Sequence, residues 1–198
     1  MAGKRSAPCR GLLAIGAAAA LLFGASFAAL PAAAQDRAPT VAESVGEGMN
    51  VVDPIVFQAT AAVWNTFFIR ASELAIERTT REDERALARE LVDAHEALIA
   101  ALARAAEADG TPTAPVVGLD GRQSGMIGRL EAAPEGQFDP LYLDMLRAGY
   151  DEAIGLFSGY AANGSGSLQA FAADTVPILE ARRGSVERLL AANNPEPS

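Results

Sequence analysis

Beyond position 53 the apolar residues recur every three, four or seven positions, the repeat of one helical face and not the period of two that a strand needs. In a first segment they fall at Phe57, Ala61, Trp64, Phe68, Ala71 and Ala75. A second segment carries Leu87, Leu91, Leu98 and Leu102, and a third Tyr142, Leu146, Tyr150, Ala153 and Phe157. A fourth carries Leu168, Phe171, Thr175, Leu179, Val186 and Leu189. Four such stripes have to be buried against one another, which makes the expected fold class all-α. The abundance of Ala, Leu, Glu and Arg, all strong helix formers, points the same way.

Local signals set the expected boundaries. Asp53-Pro54 opens the first helix, because Asp caps free amides and Pro suits the first helical position; the helix runs to about Arg78. Thr79 and Thr80 are cap candidates, and Glu82 and Asp83 complete a capping-box pattern. Glu82, Asp83 and Glu84 lie where a helix favours acids. The second helix stops near Asp109-Gly110. Residues 109–138 hold Gly, Pro and few periodic apolar positions, with a short helix expected over Ser124–Ala132. Asp139-Pro140 repeats the Asp-Pro opening and starts the third helix, which ends near Asn163-Gly164. Asn163-Gly164-Ser165 reads as turn chemistry rather than a glycosylation acceptor. Ser165-Gly166-Ser167 is a tight turn with a capping Ser. Pro177 predicts a kink in the fourth helix, and Gly184 a second weak point.

Two helical hairpins joined by a long connection make a four-helix bundle with a long crossover between helices 2 and 3, over residues 53–193. Helices of about 26 residues are about 39 Å long at their usual rise. A connection of about 30 residues spans that easily.

The first 34 residues read as an address. Lys4, Arg5 and Arg10 precede an apolar run from Gly11 to Leu30, and Pro31 with Ala32–Ala34 precede the polar Gln35-Asp36. This is the layout of a secretory signal peptide cleaved after Ala34, with an uncleaved anchor as the rival. Residues 35–52 read as an N-terminal tail. The expected location is therefore outside the cytoplasm: the periplasm first, with secretion or N-terminal anchoring as alternatives. A membrane contact is expected only if the signal peptide stays attached.

Polar residues interrupt the stripes at one depth. His95 lies four residues after Leu91 and three before Leu98, so it faces the core if they do. Tyr150 lies likewise between Leu146 and Phe157, and Arg182 between Leu179 and Val186. Phe68 holds the equivalent place on the first helix. All four fall between about 15 and 22 Å from one end of the bundle. A buried Arg needs a partner, so Arg182 is expected to find Glu73, Glu77 or the Tyr150 hydroxyl, or to snorkel outward. The layer Phe68, His95, Tyr150, Arg182, Glu73 and Glu77 reads first as a device that fixes helix register, and second as a site.

The rest of the inventory removes function classes. A net charge of −9 leaves no basic surplus for a nucleic-acid partner. The single Cys, Cys9, excludes a disulfide framework and leaves with the signal peptide. No metal or cofactor is expected: bundle di-iron sites take Glu-x-x-His from two helices, whereas Val92 stands three before His95 and the chain has 1 His. No catalytic residue is assigned. The sequence holds neither a phosphate loop after a strand nor a Gly-x-Ser-x-Gly turn. Glu90, Asp93 and Glu96 with Arg85 and Arg89 read as a solvated face of paired charges.

Short stretches along the chain carry a resemblance: Asp53 to Phe57, Leu74-Ala75 with Glu77-Arg78, Leu91 to His95, Phe138-Asp139 with Tyr142, Gly149 to Ile154, Tyr160 to Gly164, and Phe171 to Leu179. In this order and spacing the chain resembles the bacterial exported family called domain of unknown function 4142. That resemblance implies a ferritin-like bundle and no established reaction. It also implies Glu in the middle of the first helix and His in the other three, where this chain holds Phe68, His95, Tyr150 and Arg182. Phe cannot ligate and Arg repels a cation, so a metal site of that pattern is expected to be lost. The leading expectation is a non-enzymatic, exported protein of the cell envelope with a structural or interaction role. An envelope protein or a small ligand is the expected partner, taken up by an inter-helix groove or the connection around Val116 to Ile127. The alternative is a ferritin-like metal or redox protein using His95 and nearby carboxylates such as Glu73.

Overall fold

A computed structural model describes residues 53–112, 114 and 118–193. The segments read as signal peptide and tail, and Val116, lie outside them. The chain is all-α. The helices are α1 (Pro54–Arg78), α2 (Glu82–Ala108), α3 (Gly121–Ala132), α4 (Glu135–Asn163) and α5 (Gly166–Asn193), with no strand among the described residues.

Asp53 opens α1 as its chemistry predicts, its carboxylate accepting the amides of Ile55 and Val56 at 2.8 and 3.1 Å. The second Asp-Pro pair behaves differently. The expected start of the third long helix at Asp139 is corrected to Glu135, one turn earlier, with Pro140 inside the helix. Pro134 ends the preceding turn with a φ already near the helical value, and Glu135 takes the first helical position, so Asp139 has no amides left to cap. The short helix in the connection is α3 and begins at Gly121, capped by Asp120, earlier than Ser124. α5 continues through both Pro177 and Gly184.

The long helices form a closed set of neighbours: α1 packs on α2 and α4, and α5 on α2 and α4. Cross-helix contacts fix the directions. Phe57 stacks on Tyr160 at 4.0 Å and Ser72 meets Tyr142 at 3.1 Å, so α1 and α4 run antiparallel. Asn65 meets His95 while Arg85 reaches back to the Ile76 carbonyl, so α1 and α2 are antiparallel too. Asp109 touches Ser167 and Asn193 touches Glu84, which makes α2 and α5 antiparallel. Gln169 meets Ala161 across the α4–α5 turn. It follows that α2 and α4 point the same way, so the chain has to return to the other end between Asp109 and Pro134. On that return α3 packs against α1 and α4.

Both ends of this arrangement are fastened by charges that reach across elements. At one end the Arg78 guanidinium donates to the carbonyls of Leu130, Glu131 and Ala133 and lies 4.5 Å over the Phe138 ring. It satisfies the open carbonyls at the end of α3, where a cation also opposes the helix dipole. Arg85, expected on a solvated face, donates to the Ile76 and Thr79 carbonyls at the end of α1 as well as pairing with Glu82. Glu84 turns inward from the first turn of α2 and is buried, accepting from Asn193 at 2.7 Å.

At the other end Asp109 accepts the amides of Ser167 and Leu168 at 2.6 and 2.8 Å. α5 is therefore capped from the end of α2 and not by Ser165, as local sequence suggested. Gly166 has φ +72°, and a Cβ there would lie 2.6 Å from the Asp109 carboxylate, so glycine is required twice over.

Arg78→Ala removes three charge-assisted bonds and should destabilise the fold by about 1.5–3 kcal/mol in urea titration. Arg78→Lys should recover little of it, because an ammonium lacks the planar fork that spans three carbonyls.

Candidate functional site

The centre of the protein holds a chain of polar groups drawn from three helices. His95 on α2 is 1% exposed. Its Nδ1 lies 2.8 Å from Asn65 Oδ1 on α1, and its Nε2 lies 2.9 Å from the Tyr150 hydroxyl on α4. The Asn65 amide nitrogen donates to the Ala61 carbonyl at 2.8 Å, so its oxygen is the atom facing the imidazole. This fixes the tautomer: Nδ1–H donates to Asn65, and bare Nε2 accepts the Tyr150 O–H. Phe68 closes the layer, stacked on the His95 ring at 4.6 Å and on the Tyr150 ring at 4.3 Å. A Cβ on Gly149 would lie 3.1 Å from both the Phe68 and Trp64 rings, so a bare backbone on α4 lets these rings press close.

Of the six residues singled out in the sequence, the structure brings His95, Tyr150 and Phe68 together. Arg182 lies at the rim. Its guanidinium snorkels outward to Glu90, at 3.2 Å, and not to the expected Glu73, Glu77 or Tyr150. Glu73 pairs with Arg70 at 2.9 Å on the surface, and Glu77 is exposed. Both line a shallow groove of about 380 Å³ between α1 and α3, together with Ile127. The carboxylates proposed for the layer are thus corrected to the outer face of α1. Their spacing of one helical turn puts them on the side opposite the stripe that carries Phe68.

Asn65 is the residue the sequence reading missed. It belongs to a wider pattern on α1. Gln58, Asn65 and Ser72 stand at intervals of seven on the helix, two turns apart, Thr79 follows at its C-cap, and all are buried. Each has a partner on another segment. Gln58 bonds the connection at Pro112 and Ala114, Asn65 meets His95, Ser72 meets Tyr142, and Thr79 meets Glu84. A one-residue slip of α1 would orphan Gln58, Asn65 and Ser72 at once. The signal was present in the sequence as a polar row beside the aromatic one.

Burial dominates the electrostatics. It pushes the His95 imidazole from 6.5 down to about 3, with the nearby Arg182 charge adding to the effect. Burial also raises Tyr150 well above its usual value, and raises Tyr142 as well. The layer is therefore neutral at every physiological pH. Among the described residues no group of three or more His, Cys, Asp or Glu side chains is placed to hold a metal ion. No described helix is long and apolar enough to cross a membrane.

Because the folded imidazole refuses a proton that the unfolded chain accepts, stability should fall with pH between 6.5 and 3, by at most about 1.4 kcal/mol per unit. Burial raises Glu84, which works in the opposite direction near its own range. Denaturation of the wild type and of His95→Gln between pH 7 and 5 isolates the histidine contribution; the variant should show the flatter profile. Tyr150→Phe leaves Nε2 buried without a donor and should cost about 1–3 kcal/mol by the same measurement.

Residues 42–189 match the family model described as Domain of unknown function (DUF4142). No curated protein and no solved structure matches the chain.

Proposed function

The chain belongs to the DUF4142 family, and we propose that it is an exported, non-enzymatic scaffold of the cell envelope. In this reading it is a ferritin-like four-helix bundle with α3 lying along its crossover. The closed ring of antiparallel neighbours and the long return from Asp109 to Pro134 support that architecture. The basic, apolar and small-residue order of positions 1–34 supports export.

The observation that carries the non-enzymatic reading is the state of His95. Both ring nitrogens are engaged by neutral partners, Phe68 covers the ring, and the acids on α1 face outward. A ligand or catalytic base needs a free nitrogen and a route to it. Here the polar groups hold three helices in register, a role well attested for buried polar residues in helical assemblies. Work on partners belongs to the outer surface, where the charged faces of α2 and α5 and the grooves beside α3 are available.

Elemental analysis of protein purified from its native envelope should find no stoichiometric transition metal, and the same content in His95→Ala. A tightly held metal that disappears with His95 would overturn the reading in favour of a ferritin-like metal protein. N-terminal sequencing of the same material should begin at Gln35.

A further inference from the structure

α3 is far shorter than the four long helices and lies against two of them, α1 and α4. It has 12 residues and buries Gln123, Met126, Ile127 and Leu130. Gly125 and Gly128 stand on its exposed face, where an added Cβ would meet nothing within 4 Å. Packing does not require these glycines, and each weakens the helix relative to alanine. A helix this short does not persist in water by itself. Leaving α1 and α4 and unfolding are therefore one event for α3.

Its two ends are fastened unequally. At the C-terminal end the Arg78 guanidinium donates to the carbonyls of Leu130, Glu131 and Ala133. At the N-terminal end the catch is a two-pronged pair between Arg122 and Glu152 of α4, both of them exposed. An exposed ion pair contributes little and is screened by salt. The flanks are open as well. A groove of about 380 Å³ runs beside α3 towards α1, and one of about 570 Å³, lined by Met126, Leu141 and Met145, towards α4. Beneath the N-terminal end lies Trp64, only 4% exposed, with the Arg122 guanidinium 5.8 Å over its ring.

We propose that α3 is a strap that opens by local unfolding, released at the Arg122–Glu152 catch and retained at the Arg78 clamp, so that Trp64 and the seam of α1 and α4 are uncovered while the four long helices stay folded. Ionic strength sets how often it opens, because salt weakens the exposed catch far more than the buried contacts of the long helices. The proposal goes beyond the scaffold reading and does not rest on it.

The test is hydrogen exchange of the purified protein, followed at the α3 amides and at the indole N–H of Trp64, the one tryptophan in the chain. In the wild type both should exchange faster than amides at the centres of the long helices. Glu152→Gln frees the catch and should speed both in the same proportion, about two- to fivefold. Raising sodium chloride from about 0.05 to 0.5 M should reproduce that rise in the wild type and add little in Glu152→Gln. Gly125→Ala combined with Gly128→Ala strengthens the helix and should slow both about five- to thirtyfold. Exchange of α3 only together with the long helices would overturn the proposal. So would a Glu152→Gln rate at or below wild type, a salt response that survives Glu152→Gln, or glycine variants with an unchanged rate. An equal rise in Asp109→Asn, which loosens the opposite pole, would overturn it too. None of these outcomes bears on metal content, which tests the scaffold reading separately.

Discussion

The uncharged imidazole of His95 is the constraint around which the interior is arranged. It links α1 and α4 through α2, and it does so with hydrogen bonds that have no equivalent in water-exposed positions. Its neutrality follows from burial, and burial follows from the leucines that flank it on α2. Asn65 has to present its oxygen, Tyr150 its proton, and Phe68 its face. Removing the polar group of Asn65 or Tyr150 leaves a ring nitrogen unpaired in an apolar interior, which costs more than the original bond contributes.

The polar residues spaced seven apart on α1 and at its C-cap extend this logic along the whole helix. Aliphatic packing alone tolerates small slips, because one leucine fills a gap much like another. Gln58, Asn65, Ser72 and Thr79 remove that freedom, since each partner waits at one height only. The aromatic residues beside them, Phe57, Trp64, Phe67 and Phe68, are buried in the core. Cohesion and register therefore come from adjacent rows of the same helix.

Much of this was legible in the sequence, for identifiable reasons. The helical period placed Phe68, His95 and Tyr150 in one layer because a stripe position constrains direction. Asp53-Pro54 marked a helix start because its chemistry is complete within four residues. What escaped depends on residues far apart in the chain. The cap of α5 comes from Asp109, 58 positions before Ser167, and no local pattern announces it. Arg182 finds Glu90 across a helix pair whose relative height the sequence does not specify. Asn65 stands in a polar row beside the apolar stripe, and the period of the stripe alone does not mark it. Asp139-Pro140 looked like Asp53-Pro54 locally, but Pro134 had already started the helix.

An acid alone fastens one end, whereas an arginine clamp and the buried acid Glu84 fasten the other, and this makes the molecule asymmetric towards acid. Asp109 is lowered from its ordinary value by the backbone amides of Leu168 and Ser167, so once it is protonated the junction of α2 and α5 loosens. The Arg78 clamp on the carbonyls of α3 keeps its charge through the same titration. Strong acid therefore loosens the pole that carries Asp109, while at the opposite pole the buried Glu84, which burial pushes up, takes its proton earlier and the Arg78 clamp remains.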